Sequence, residues 1–101
     1  FGLGFHLSQF EGRRRFSHGG AIYGFSTELQ GLPDERLGVV VAAAMETVNP
    51  VTTRLADDAL RLLLAARAGA PLPALLRTRP LPAERVRALA GRYGEGGRAV
   101  E

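Results

Sequence analysis

Apolar and polar residues alternate along the first third of the chain, the period-two pattern of strands with one buried face. In FGLGFHLS, Phe1, Leu3, Phe5 and Leu7 fall on one face and Gly2, Gly4, His6 and Ser8 on the other. The polar EGRRR at 11–15 predicts a turn, and RFSHGG enters a second strand. GFSTELQGL predicts a third, alternating through Phe25, Thr27 and Leu29. PDERLG predicts the next turn, with Pro33 pre-setting φ and Asp34 able to bond its own backbone. LGVVVAAAM is apolar on both faces, as expected of a central strand covered from two sides.

At Asn49 the period changes. Asn49-Pro50 predicts a helix start, with Asn49 as the cap and Pro50 at the first helical position. Val51, Leu55, Ala59, Leu62 and Ala66 then recur at the spacing of one helical face, and Asp57 and Asp58 can both reach Arg61. Gly69 is placed to end the helix. The fold class that follows is α+β: an antiparallel meander of about four strands packed against a long C-terminal helix. Residues 68–82 carry Pro71, Pro73, Pro80 and Pro82 and predict a semi-rigid linker. PAERVRALAGRYGEGG predicts a short helix and the start of something new over 83–101.

Composition narrows the function classes. A chain of 101 residues holds one domain at most. It begins with Phe1 inside a strand-like pattern, so a piece of a longer protein is expected. There is no cysteine, hence no disulfide framework and no thiolate metal site. VVVAAAM is too short to span a bilayer. All 13 basic residues are arginine, against 10 acids, for a net charge of +3. The excess sits beyond residue 49, and Arg13-Arg14-Arg15 is the one run. A nucleic-acid footprint needs a larger basic patch interleaved with aromatics, so no nucleic-acid partner is expected.

FSHGGAIYGFS, residues 16–26, is where chemistry concentrates. Its plain interpretation is structural: two glycines at a strand end mark a bulge or turn, and a lone histidine is a satisfied polar residue. Several sharper interpretations fail. Ser17 and His18 cannot form a nucleophile–base pair in an extended strand, because neighbouring side chains point to opposite faces. His6 and His18 lack a visible third metal ligand. No helix follows the glycines to cradle a phosphate. What survives is a strand stripped of side chains, along which an extended ligand can pair and from which an N–H can point at a developing negative charge. His18 is then the side chain beside that edge able to move a proton near neutral pH.

Phe1-Gly2-Leu3-Gly4-Phe5, His18-Gly19-Gly20, Gly24-Phe25 and Leu37-Gly38-Val39-Val40-Val41, followed by a helix, occur in an order that resembles the C-terminal part of serine beta-lactamase-like hydrolases. The branch it resembles holds class C beta-lactamases, DD-peptidases and related esterases, and the likeness covers residues 1–67. It implies a fragment of the beta-lactamase/transpeptidase-like fold and acyl transfer through a serine ester on a small-molecule or peptide substrate, with no cofactor. His18, Gly19 and Gly20 match the three positions of the family's strand motif, Lys-Thr-Gly or His-x-Gly. His18 would then orient substrate or assist proton transfer, Gly19 and Gly20 would open the strand to substrate, and the Ala21 N–H would supply one donor of the oxyanion hole. Gly19 departs from the Thr or Ser of penicillin-recognising members, which leans towards esterase-like chemistry.

The family's Ser-x-x-Lys cannot occur here, because the chain has no lysine, and neither Tyr23 nor Tyr93 begins a Tyr-x-Asn. The nucleophile is therefore expected upstream, and this stretch alone is expected to be inactive. Leu89 to Tyr93, LAGRY, resembles the opening of a small β-rich C-terminal domain found after a proline-rich linker in such hydrolases; a frayed helix followed by coil is the alternative. Relatives are often exported, which leaves the compartment open. Two other functions fit the same residues: a catalytically inactive ligand-binding or sensor module, and an unrelated α+β domain with structural glycines.

Overall fold

The computed structural model describes residues 2–75 and 77–91. Its elements are β1 (His6–Phe10), β2 (Arg13–Ile22), β3 (Phe25–Leu32), β4 (Leu37–Ala43), α1 (Asn49–Arg67) and α2 (Ala83–Leu89). The strands form one antiparallel sheet in the order β1-β2-β3-β4, and α1 packs across one face. The class is α+β, as the pattern predicts. The helix is not a long one, however. At 19 residues α1 lies within the ordinary range for globular helices, and a second helix follows it.

Short turns impose the meander. Glu11 and Gly12 both take left-handed φ, of 50° and 77°, which closes the β1–β2 hairpin with the twist adjacent strands need. Tyr23 and Gly24 close β2–β3. Arg36 N–H donates to the Pro33 carbonyl at 3.2 Å in the β3–β4 turn. Asp34 bonds Arg14 rather than its own backbone. The opening departs from the predicted strand. Gly2 and Phe5 exchange backbone hydrogen bonds around a tight turn at Leu3 and Gly4, and β1 starts only at His6. The motif's Phe1 lies outside the described residues.

The sheet inverts the expected polarity. On β3 the covered residues are Ser26, Glu28, Gln30 and Leu32, not Phe25, Thr27 and Leu29. α1 answers with Thr52, Ala56 and Leu60, so its predicted face of Val51, Leu55, Ala59, Leu62 and Ala66 is rotated away and Val51 and Leu55 stand exposed. Both elements carry two adjacent stripes with apolar members, and periodicity alone does not say which faces inward. The polar stripe selects because its groups satisfy one another. Thr53 donates to Glu28 Oε2 at 3.2 Å, Gln30 Nε2 donates to Glu28 Oε1 at 3.3 Å, and Arg15 Nη1 reaches Gln30 Oε1 at 3.4 Å and Asp57 Oδ1 at 3.1 Å.

The apolar core is confined to one end, where Phe10, Leu32 and Leu60 meet and Leu37, Val39 and Leu64 pack around them. The guanidinium groups of Arg15 and Arg61 lie over the Phe10 ring at 5.5 and 5.2 Å. Arg61 takes Asp58 and Glu11 as partners, and Asp57 pairs with Arg15 instead of Arg61. Among the described residues β4 is an outer strand rather than a central one: it pairs with β3 alone, and Val40 on its uncovered face is exposed.

The end of α1 follows the sequence. Gly69, at φ 62°, donates to the Ala66 carbonyl at 3.2 Å, and Ala70 donates to that of Ala65 at 2.9 Å, the paired bonds of a Schellman stop. Residues 70–75 and 77–82 form no helix or strand, and α2 buries none of its side chains. Of the LAGRY stretch, Arg92 and Tyr93 lie outside the described residues.

Candidate functional site

β2 runs through its glycines without a bulge. The pairs His18–Leu29, Gly19–Glu28, Gly20–Thr27 and Ala21–Ser26 are in continuous register, which excludes the bulge-or-turn interpretation. What changes within β2 is its other edge. β1 pairs with β2 only as far as His6–Ser17, so residues 18–22 have no strand on that side among the described residues. The glycines therefore lie in a strand segment paired on one edge and open on the other.

Main-chain directions follow from the hairpin. A two-residue loop is closed by a hydrogen-bonded pair, here Ile22–Phe25, and such pairs alternate with non-bonded ones along an antiparallel ladder. Gly20 and His18 then turn their N–H and C=O groups towards β3, and Gly19 and Ala21 turn theirs to the open edge. The Ala21 N–H is thus directed away from the sheet.

Each glycine has its own steric reason. A Cβ on Gly19 would stand 3.2 Å from Glu28 Oε2 and 3.8 Å from Asn49 Nδ2, so position 19 faces the α1 side. A Cβ on Gly20 would overlap Thr27 Oγ1 on the opposite face. Nearer the core, Phe16 lays its ring over Gly31, which likewise has no room for a Cβ.

His18 is exposed at the start of the open segment. Its ring meets Phe5 edge-on at a centroid distance of 6.4 Å and lies 6.5 Å from the ring of His6. Phe5 packs in turn on Phe16 at 5.2 Å. The Gly2–Phe5 turn and the head of β1 thus form a small aromatic wall beside His18. Ser17 pairs with His6 on the other face from His18, so the two neighbours do not converge. Among the described residues no three His, Cys, Asp or Glu side chains gather as metal ligands would.

Next to Ala21 lies a groove of about 370 Å³ lined by Ala21, Ile22, Tyr23, Glu46 and Thr47. A comparable groove of about 330 Å³ at Glu11, Arg13, Arg61, Leu64, Ala65, Pro71 and Pro73 occupies the core end. The first groove reaches the open segment of β2 at Ala21 and Ile22, the second meets β2 only at Arg13, and no histidine lines either one. Thr47 in its wall holds φ at 60°, uncommon for a β-branched residue.

Asn49 is the residue that sequence reasoning misassigned. The cap position is Val48, and no side chain caps α1. Asn49 Nδ2 instead donates to the Gly20 carbonyl at 2.9 Å, across 29 positions of sequence. Asn-Pro correctly marks a helix start, but no local signal distinguishes a capping amide from one that reaches another strand.

No protein-family model matches this chain, and no curated protein or solved structure matches it at a significant level. Among the described residues no helix is long and apolar enough to cross a membrane.

Proposed function

We propose that this chain is the C-terminal wall of the active site of a beta-lactamase-related serine hydrolase, which transfers acyl groups through a serine ester. One observation carries the proposal: an in-register strand, stripped of side chains at Gly19 and Gly20, leaves an edge open from His18 to Ile22 with the Ala21 N–H directed out of it. The order of motifs from residue 2 to α1 supports it.

In this mechanism a serine hydroxyl from outside the chain gives its proton to a base, also outside the chain, and attacks the substrate carbonyl carbon. The carbonyl π pair moves onto oxygen, and the Ala21 N–H donates to that oxyanion. Collapse re-forms the carbonyl and breaks the bond to the leaving group, which takes up the proton that the base received. Water then attacks the acyl ester and releases the acid and the serine. His18, exposed at the edge, orients the substrate or carries a proton during these steps. One oxyanion donor contributes about 3–4 kcal/mol to the transition state in comparable acyl-transfer sites. Position 19 faces Glu28 and Asn49 and has no hydroxyl to offer a substrate carboxylate, which favours an ester over a beta-lactam or a peptide with a free carboxylate.

A second function rests on the same open edge. An extended peptide can add to residues 18–22 by main-chain pairing without any reaction, which makes the chain part of a ligand-binding or sensor module. A fluorophosphonate probe applied to the intact protein that carries residues 1–101 separates the two. Covalent labelling of a serine in a Ser-x-x-Lys sequence is the expected result. Binding of an extended peptide with no labelling assigns the module instead.

A further inference from the structure

We propose that Asn49 is a positioning residue, whose side-chain amide locks the peptide unit between Gly20 and Ala21 so that the Ala21 N–H stays aimed at the oxyanion. The proposal rests on the acyl-transfer mechanism above and adds to it a group that touches no substrate.

The geometry is short and direct. Asn49 Nδ2 donates to the Gly20 carbonyl at 2.9 Å, and the Thr27 hydroxyl approaches the same oxygen at 3.5 Å. No peptide bond is cis, so the carbonyl of Gly20 and the N–H of Ala21 point in opposite directions from one rigid plane. Holding the oxygen therefore holds the N–H. Residues 18–22 have a neighbouring strand on one edge only and carry two glycines, which frees the backbone to twist. An extra donor restrains it there.

Asn49 is itself held. Val48 N–H donates to the buried Ser26 hydroxyl at 3.2 Å, and Ser26 is the register partner of Ala21. The head of α1 is thus tied to two successive rungs of the β2–β3 hairpin, through Ser26 and through Gly20. Thr52 donates its hydroxyl to the Asn49 carbonyl at 3.0 Å, and Pro50 fixes the backbone between them. Gly19 lies beside this device: a Cβ there would crowd Glu28 Oε2 at 3.2 Å while leaving the Asn49 amide at an ordinary contact distance of 3.8 Å, a reason for glycine that involves no substrate.

The test uses the intact protein, a fluorophosphonate probe and two variants: Asn49→Asp, which keeps the shape but loses the donor, and Asn49→Ala. The expected result is a maximal labelling rate reduced ~10- to ~100-fold in both, because a displaced donor stabilises the transition state and not the first complex. Probe affinity stays within about twofold, as expected when ground-state binding is untouched. The thermal midpoint holds, and the Gly20 carbonyl 13C resonance shifts. An unchanged maximal rate with a shifted Gly20 resonance overturns the positioning role and leaves the acyl-transfer mechanism standing. Weakened probe affinity at an unchanged rate also overturns it, by placing Asn49 in contact with the ligand. A parent protein that the probe does not label overturns the mechanism and the role together.

Discussion

The two halves of β2 have the same backbone conformation and opposite tasks. Residues 13–17 all pair with β1, Phe16 and Ser17 pair with β3 as well, and the arginines are held by carboxylates: Arg13 by Glu35, Arg14 by Asp34 and Arg15 by Asp57. Residues 18–22 pair on one edge only, carry two glycines, and are steadied from α1 through Gly20. One half is built to be rigid, and the other to be approached. The contrast shows where a strand can be opened without unravelling: at the end far from Phe10, Leu32 and Leu60, where few side chains depend on it.

The largest effect expected is on the core that anchors the rigid half. Leu60→Ala should lower stability by about 2–5 kcal/mol, read by urea or thermal unfolding, because the cavity is walled by Phe10 and Leu32. A loss under about 1 kcal/mol would mean that the anchor lies elsewhere. Gly20→Val should act on the open half instead. Its Cβ group overlaps Thr27 Oγ1, so the unfolding midpoint should drop, and probe labelling per folded molecule should fall ~100-fold, worth about 3 kcal/mol. Retained labelling in a folded variant would remove β2 from the active site.

Arg15→Ala should do the reverse, with labelling per folded molecule kept and stability reduced by about 1–3 kcal/mol. It strips a partner from both Asp57 and Gln30 in a half-buried setting. Hydrogen exchange sharpens the comparison further. Ala21 and Gly19 amides should exchange at least ~10-fold faster than those of His18 and Gly20, since only the latter face β3. Uniform protection across 18–22 would show that the edge is covered.

The smallest effect is expected at Asp34, on the exposed rim of the rigid half. A hydrogen bond from Arg14 at 2.9 Å holds its carboxyl below the usual value of 3.8. A depressed folded value means that this contribution is present above about pH 4 and is lost as pH falls through the folded value. Asp34→Asn should therefore leave the midpoint at pH 7 almost unmoved, as for exposed ion pairs generally, and should flatten the acid limb slightly.

Much of the fold was legible before the structure. The turn at 33–36 and the stop at Gly69 follow from local chemistry; the turn expected over 11–15 is confined to Glu11 and Gly12, with Arg13 to Arg15 already in β2, and the turn at Tyr23 and Gly24 was not foreseen. His18, Gly19 and Gly20 could be read as entering a strand, and Ala21 was added by the family resemblance. Asn49 could not be placed beside them, because its amide has one partner available locally and another 29 residues away, and local sequence does not rank the two.

By itself the sequence determined the elements, their order and the place where side chains thin out, since each depends on interactions within a few residues. Tertiary structure decided which faces turn inward. It buried Ser26, Glu28, Gln30 and Thr52 rather than Phe25, Leu29 and Val51, because polar groups from β2, β3 and α1 satisfy one another only once the three elements are packed. It also decided that β1 begins only at His6, opposite Ser17, which leaves the edge open from His18 onwards. Burial and edge exposure are properties of the whole sheet, and no short stretch of chain contains them.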